Sequence, residues 1–403
     1  MTFPACKHRK QPSAHPAGPG VLTWLAAEPF RIFFASGALW SIIGVSLWPL
    51  FYAGHLGFYP GITHARLMIE TFGGAFVVGF LGTAGPRMAS APKLTPVELL
   101  ALFALHTANG VCHLKLMIRE ADLCFIMLLG LLLASLGGRV IFYRKDAPPP
   151  QMLLALTGLL CGIAGAVMMR KPELAASTSH FRLAGLFLYQ GMLLLPVLGI
   201  GSFIFPRILG GDFGEPATAA EARGKLLRAI ATAALIVVSF FIETSGAVIL
   251  AYLLRAGAAI SWLLTEIRWR RTPGDPPRGT LANGLYWSLG TGLIGLAFTG
   301  FKYDHRVPLE HLLYIGCFGL LILIVASRVL FGHSGDLAGF SRRSWVARIL
   351  IAFGFIAATT RASAEFWPMI TISHHKYAAW LWGLAVLLWL TWHRRRFLKR
   401  EEE

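Results

Sequence analysis

Charged residues are scarce in this 403-residue chain, at 14% of the total, whereas a soluble globular domain carries about 25%. This scarcity argues against an ordinary soluble enzyme. Hydrophobic residues make up 55% of the chain, which excludes a disordered protein because so much apolar surface must be buried. With a mean hydropathy of +0.60, the composition indicates an integral membrane protein.

The sequence also lacks the spacings that mark several familiar sites. Its five cysteines show no CxxC or CxxxC spacing, which excludes a zinc ribbon and a disulfide scaffold. It contains no phosphate-binding GxxxxGK[ST] loop and no HExxH metal motif. The net charge of +17 is therefore interpreted as loop charge facing anionic lipid, with no nucleic-acid partner. The cysteines are Cys6, Cys112, Cys124, Cys161 and Cys317.

Apolar runs long enough to cross a bilayer dominate what is present. A spanning helix needs about 20 mainly apolar residues, and twelve runs approach that length. We therefore predict an all-α polytopic membrane protein with about twelve transmembrane helices. The predicted spans are 32–54, 65–84, 95–113, 121–143, 152–169, 183–205, 226–243, 246–266, 283–301, 309–331, 344–360 and 376–392.

The linkers between these runs are too short for a further domain. We expect a cytoplasmic segment at 1–30, one membrane domain at 31–393, and a basic then acidic cytoplasmic tail at 394–403. Residues 1–30 lack the apolar stretch of a signal peptide. With twelve spans, 26 of the 37 Lys and Arg residues fall on the side of the termini and nine on the other. The positive-inside rule then places both termini in the cytoplasm.

Histidines concentrate at the predicted outer ends of the helices. His64, His180 and His311 open spans two, six and ten, while His374 and His375 open span twelve. Neutral imidazole is a common ligand of haem iron and of copper, and polar side chains at this depth tend to be functional. The alternative is that these histidines are solvated or interfacial.

A weak internal repeat has an interval of four helices. Spans two, six and ten each begin with a histidine and end with an arginine, after an apolar stretch that contains glycine. The pattern predicts three pseudo-symmetric four-helix units, and binding sites often lie between such repeats. The pairs are His64 with Arg87, His180 with Arg207, and His311 with Arg328.

Charged and aromatic residues inside the spans have two interpretations each. Arg66 and Glu70 are four residues apart, so they share a helix face and either form a salt bridge or leave Arg66 free to hold a haem propionate. Arg255 is expected to pair with a carbonyl or a carboxylate, or else to contact a substrate. Glu243 is expected either to stabilise a turn or to serve as a metal or proton-relay carboxylate. The tryptophans of span twelve are expected at the lipid or its interface; they are Trp380, Trp382, Trp389 and Trp392.

Several motifs of this chain resemble those of the NnrS family. In span two, His64-Ala65-Arg66-Leu67-Met68, running to Gly79-Phe80-Leu81-Gly82-Thr83-Ala84-Gly85-Pro86, is similar to the family pattern H-A-H-E-M…G-F-L-x-T-A-x-P. His311-Leu312-Leu313 and Arg328-Val329-Leu330-Phe331-Gly332-His333-Ser334-Gly335 resemble its H-A-L and R-x-x-L-G-H-T-G segments. The chain departs from the family at Arg66 and Leu67, where the family has histidine and glutamate. If the family histidine binds a metal, this chain has lost that ligand or moved it.

The resemblance implies a twelve-helix bacterial inner-membrane protein that contains haem and copper and is associated with nitric oxide and denitrification. On this hypothesis His64 and His311 are axial ligands of a b-type haem and Arg66 holds a propionate, an arrangement analogous to spans two and ten of haem-copper oxidases. His180, His374 and His375 form a second metal group for copper. The partner is a small diatomic ligand such as NO, and both an enzyme and a sensor stay open. The alternative is a secondary transporter with a midplane site around His106, Arg255 or Glu70.

Overall fold

The computed structural model describes residues 20–171, 177–209, 216, 218–267 and 278–400, and the statements below refer to those residues. Within them the chain is helical and forms no strand. Cys6, most of the predicted segment 1–30 and the acidic residues 401–403 lie outside the described residues. The twelve long helices are α1 Phe30–Tyr52, α2 Gly61–Met88, α3 Pro96–Leu114, α4 Ile118–Phe142, α5 Met152–Met169, α6 Thr178–Leu209, α7 Ala219–Thr244, α8 Val248–Glu266, α9 Thr280–Phe301, α10 Tyr303–His333, α11 Trp345–Ser363 and α12 Thr371–Leu398.

Ten of these helices are long and apolar enough to cross a membrane. Helices α9 and α12 coincide with predicted spans nine and twelve but do not belong to that group of ten. The predicted class, an all-α polytopic membrane protein, is confirmed. The number of spans that the described helices support by length and hydropathy is ten rather than twelve.

The centre of the bundle is built from α2, α6 and α10. In their most apolar stretches, 89%, 83% and 61% of the residues are buried inside the protein; α1 reaches the same 61% as α10, whereas α3, α4, α5, α7, α8 and α11 reach 33–44%. The peripheral helices therefore keep most of their apolar surface for lipid, while the three central helices pack against protein. An apolar cavity of about 60 Å³ lies between the three central helices.

Each central helix contains a π-helical segment near the end that carries its histidine. The segments are Leu67–Gly73 in α2, Leu186–Gly191 in α6 and Leu312–Gly319 in α10. Such segments are rare in proteins and are found mostly at functional sites. Their recurrence at an interval of four helices agrees with the predicted repeat.

A buried tryptophan pairing also recurs at that interval. The Trp262 indole of α8 donates to Leu198 O and to Ser202 Oγ of α6, at 3.1 and 2.9 Å. The Trp389 indole of α12 donates to Leu323 O and to Ser327 Oγ of α10, at 3.1 and 2.9 Å. The expectation of lipid contact is therefore wrong for Trp389, because its indole N–H is satisfied inside the bundle. It is also wrong for Trp382, whose N–H donates to the buried Ser41.

The beginning and the end of the described chain lie at the same end of the bundle. Arg31 at the start of α1 donates to the carbonyls of Arg396 and Phe397 in α12, at 2.9 and 3.0 Å. We call this end the basic end, and the opposite end, which carries His64 and His311, the histidine end. Helix α12 continues to Leu398, so the predicted boundary at residue 393 falls within a helix.

Candidate functional site

Two histidines at the histidine end each form a hydrogen bond from Nδ1 to a backbone carbonyl, His64 to a neighbouring helix and His311 to its own helix. His64 in α2 forms a hydrogen bond from Nδ1 to Gly44 O of α1 at 3.0 Å. His311 in α10 forms one from Nδ1 to Val307 O at 2.7 Å. A carbonyl oxygen only accepts, so in a neutral imidazole this bond places the proton on Nδ1 and leaves the Nε2 lone pair free. Histidines that bind metals are typically oriented by such a bond.

The two imidazoles share one electrostatic environment. The rings of His64 and His375 both face Trp48, with ring centres 6.0 and 4.9 Å from it. His311 is near enough to both histidines and to Arg361 for their charges to interact. Both side chains are only partly accessible to solvent. The fold therefore brings together three of the predicted site histidines, from α2, α10 and α12. We call His64, His311, Arg361, Glu365 and His375 the histidine cluster.

The histidine cluster contains two buried polar atoms without a hydrogen bond in the described part of the chain, Arg361 Nη1 and His375 Nε2. The other guanidinium nitrogen of Arg361 donates to Glu365 Oε1 at 2.9 Å. His375 Nδ1 pairs with the Tyr52 hydroxyl at 2.8 Å, and its Nε2 lies 3.6 Å from Glu365 Oε1. Buried polar groups are nearly always paired, so unpaired ones call for an explanation.

Sequence reasoning missed Arg361 and Glu365. The apolar run predicted that span eleven ends at residue 360, which would place Arg361 in a loop. Helix α11 instead continues to Ser363 and buries Arg361 to 7% exposure. The available signal was the i,i+4 spacing of Arg361 and Glu365, which favours an ion pair across one turn; Glu365 itself lies in the turn that follows the helix.

A second buried cluster lies between α2, α3 and α4. Arg66 Nη1 donates to Glu70 Oε1 at 2.6 Å and lies 3.0 Å from Asp122 Oδ1. Asn109 Nδ2 and His113 Nε2 contact Glu70 Oε2 at 2.7 and 2.9 Å. Possible metal-ligating atoms of Glu70, His113 and Asp122 all lie within 4.8 Å of one another. We call these five residues the carboxylate cluster; no pattern in the sequence joined Asn109 and Asp122 to Arg66 and Glu70.

The positively charged Arg66 side chain lies where a metal ion would bind in the carboxylate cluster. Its guanidinium faces two carboxylates, and the side chains of Arg66, Glu70 and Asp122 are at most 3% exposed. The salt-bridge interpretation of Arg66 and Glu70 therefore matches the geometry. A divalent metal ion bound by Glu70 and Asp122 would lie beside this guanidinium, and the two cations would repel each other. Glu70, His113 and Asp122 could bind a metal, and both oxygens of Asp122 are buried without a hydrogen bond, but a metal there would have to overcome the repulsion from Arg66.

A network of two arginines and two glutamates lies between α6, α7, α8 and α10. Arg255 donates to Glu243 Oε2 at 2.8 Å and to Gln190 Oε1 at 2.6 Å. Arg182 donates to Glu243 Oε1 at 2.8 Å and also to Glu310. Arg255 thus pairs with a carboxylate, as expected. Glu243 joins two arginines across α6, α7 and α8, which neither of its two sequence interpretations included.

The histidines expected to form a second metal group are not assembled. His180 is exposed on α6. His374 contacts Ile370 O and Tyr377, whereas the neighbouring His375 faces Trp48 and Tyr52. Among the described residues, Glu70, His113 and Asp122 are the set of His, Cys, Asp and Glu side chains close enough to share a metal.

The fold is that of a polytopic membrane protein, with several histidines at one end of the bundle and a buried carboxylate cluster between α2, α3 and α4. A family model described as NnrS protein matches residues 24–400. The chain belongs to the NnrS family, which confirms the resemblance predicted from its motifs and makes it a nitric-oxide-related membrane protein. Comparison with curated proteins gave no match.

Proposed function

We propose that the protein binds a haem between His64 and His311 and acts in nitric oxide metabolism or in protection against nitrosative stress. The observation that carries this proposal is the matched anchoring of the two imidazoles. Each donates Nδ1–H to a backbone carbonyl and keeps Nε2 for a metal. The placement of both histidines at one end of the bundle, on two of the three central helices, supports a shared ligand.

The residues around the two histidines fit a haem. A haem carries two carboxylates, and Arg361 offers a buried guanidinium nitrogen without a hydrogen bond in the same cluster. We therefore propose Arg361 for the propionate contact that the sequence suggested for Arg66. When bound, a haem would supply an iron atom for a diatomic ligand such as NO. Because two imidazoles would leave that iron no free position, NO would have to replace His64 or His311. His375, linked to Tyr52 and close to Glu365, is placed to hold a proton at the same site.

The proposal is limited to one haem. Among the described residues, His180, His374 and His375 do not form a group of three ligands close enough to share a metal, and Arg66 faces the carboxylates of the carboxylate cluster. Copper therefore has no part in the proposed chemistry. Metal analysis of the purified protein tests this limit directly: one iron and no copper per chain is the expected result.

The positive-inside rule extends the proposal to topology. The basic end carries Arg31, Arg87 and Arg396, so we propose that it faces the cytoplasm and that the histidine end faces outward from an inner membrane. Labelling of single cysteines, introduced at either end, by an impermeant reagent in intact cells tests this orientation.

The test of haem binding is an optical spectrum of the purified protein, oxidised and dithionite-reduced. We expect a Soret band that sharpens on reduction in the wild type. The band should shift or disappear in H64A and H311A, while H55A, which removes an exposed histidine from the same end, should leave it unchanged. A colourless preparation without iron, from cells that supply haem, would reject the proposal.

The secondary-transporter alternative receives less support from the structure. Its three proposed site residues lie in separate buried networks. Glu70 pairs with Arg66, Arg255 pairs with Glu243, and His106 pairs with the Ser36 hydroxyl at 3.0 Å. They do not converge on one substrate position.

A further inference from the structure

A cavity of about 1000 Å³ lies at the basic end, where the three central helices end. Each of these helices contributes an arginine to its wall: Arg87 from α2, Arg207 from α6 and Arg328 from α10. These are the three arginines that end the repeated pattern in the sequence. We call this space the arginine cavity. It is distinct from the haem site proposed above, which lies at the opposite end of the bundle.

The positive charges of the arginine cavity are close together. Arg207 and Arg328 are near enough for their guanidinium groups to repel each other. Arg87 lies 3.3 Å from His333 Nε2, and His333 also lines the cavity. The acidic lining residue among those described is Asp146, which accepts a hydrogen bond from Ser90. Glu28, buried beside the cavity, offsets the charge of Arg87 and contacts His333. The excess positive charge among the described lining residues therefore comes mainly from Arg207 and Arg328.

Apolar side chains complete the wall. Phe80, Met88 and Phe203 line the cavity beside the arginines, and the Arg207 guanidinium lies 3.7 Å from the centre of the Phe203 ring. The volume is at the upper end of the range for small-molecule sites, about 300–1000 Å³. A ligand with anionic groups and an apolar or aromatic part would match both kinds of surface.

We propose that the arginine cavity binds an anion with two or more phosphate groups. Guanidinium groups match phosphate oxygens in geometry and charge, and three of them placed around one space by a threefold repeat are suited to several phosphates at once. The same chemistry occurs in free phosphate compounds and in the headgroups of anionic lipids.

The direct experiment is calorimetric titration of inorganic pyrophosphate into the full chain, held in nanodiscs of zwitterionic lipid. We expect binding that weakens as salt is raised, because the contacts are between charges. The double variant R207Q/R328Q should weaken binding at least about tenfold, since each charge-assisted contact is strong. The control R343Q removes an exposed positive charge at the same end that does not line the cavity, and its affinity should equal that of the wild type.

A second measurement separates the two sources of phosphate. Native mass spectrometry of protein extracted from phosphatidylglycerol and cardiolipin vesicles reports retained anionic lipid. Lipid that is retained by the wild type and by R343Q but lost from R207Q/R328Q, together with pyrophosphate competition, identifies a headgroup as the occupant. Pyrophosphate binding that anionic nanodiscs leave unchanged identifies a free phosphate compound.

The proposal is overturned if neither pyrophosphate nor anionic lipid is retained by the wild type, or if R207Q/R328Q and R343Q bind equally well. The Soret spectrum of each variant shows whether it is folded, provided that the haem proposal holds. Gel filtration and helical circular dichroism give that control independently of haem.

Discussion

His333 Nδ1 lies 2.8 Å from Glu28 Oε1. This contact joins the end of α10 to the segment just before α1. Glu28 also accepts a hydrogen bond from Arg31 at 2.6 Å and lies 3.5 Å from Arg87. One buried carboxylate therefore holds together three helices at the basic end. Burial alone would raise the pKa of Glu28, but His333 and Arg31 overcome that effect and lower it to about 2.

This shift predicts acid sensitivity. The pKa of Glu28 is depressed from 4.5 to about 2, so its stabilisation is fully present above pH 4.5 and is lost as the pH falls toward 2. We expect E28Q to lower the free energy of unfolding by about 1–3 kcal/mol at neutral pH. Thermal unfolding in detergent should show that the difference from wild type shrinks below about pH 4.5. The exposed Glu120 provides the control, and E120Q should unfold like the wild type.

The carboxylate cluster predicts that removing Arg66 both destabilises the protein and creates a metal site. R66M leaves Glu70 and Asp122 buried without their cation, which should cost about 3–5 kcal/mol. Zinc should then restore stability by binding Glu70, His113 and Asp122. Thermal shifts with and without zinc measure both effects. The wild type should not respond to zinc, and R66M/H113A should lose the rescue; a zinc response that persists in R66M/H113A would contradict this prediction.

The two tryptophan pairings predict that substituting Trp262 in α8 and Trp389 in α12 destabilises the protein equally. W262F and W389F each remove an indole N–H that serves a serine and a carbonyl, so each should cost about 1–2 kcal/mol beyond the loss of packing. W380F changes a tryptophan that is 61% exposed and should have little effect. Chemical unfolding in detergent measures all three variants. Unequal costs for the two buried tryptophans would argue against equivalent roles.

The close contact between α5 and α6 predicts that alanine substitutions at two glycines change the stability in opposite directions. A Cβ on Gly165 would lie 2.6 Å from Leu188 N and 2.8 Å from Ala184 O, and backbone atoms cannot move aside cheaply. G165A should therefore destabilise by about 1–3 kcal/mol. Gly130 lies in α4, where a Cβ would have no neighbouring atom within 4 Å, so G130A should stabilise by about 0.5–1 kcal/mol. Opposite signs in thermal unfolding are the expected outcome.

Helix positions were predictable because an apolar run long enough to span a bilayer can satisfy its backbone hydrogen bonds there in few ways other than as a helix. Each predicted span overlaps a helix of the structure. Helix ends were less predictable, because polar side chains can continue a helix once they are buried or paired. Arg361 in α11 and His393 in α12 show this, since both are buried in the structure.

The site was predictable only in part. Imidazoles at the ends of spans two and ten drew attention to His64 and His311, whose residue type alone indicates metal chemistry. The partners of these residues depend on which faces of distant helices meet, and a single sequence does not carry that information. Arg66 shows the limit: its pairing with Glu70 follows from spacing within one helix, whereas its contact with Asp122 requires the packing of α2 against α4.

The π segments have a further consequence for how the two ends of the bundle are oriented. Each residue of an α-helix advances the side chains by about 100°, and a π turn holds more residues than an α turn. In α2, the π segment Leu67–Gly73 lies between His64 and Arg87. The direction in which Arg87 points around the helix axis therefore does not follow from that of His64 by counting about 100° per residue. The same applies to α6 and α10. The bundle can thus aim the side chains of its two ends independently of each other while each central helix remains continuous.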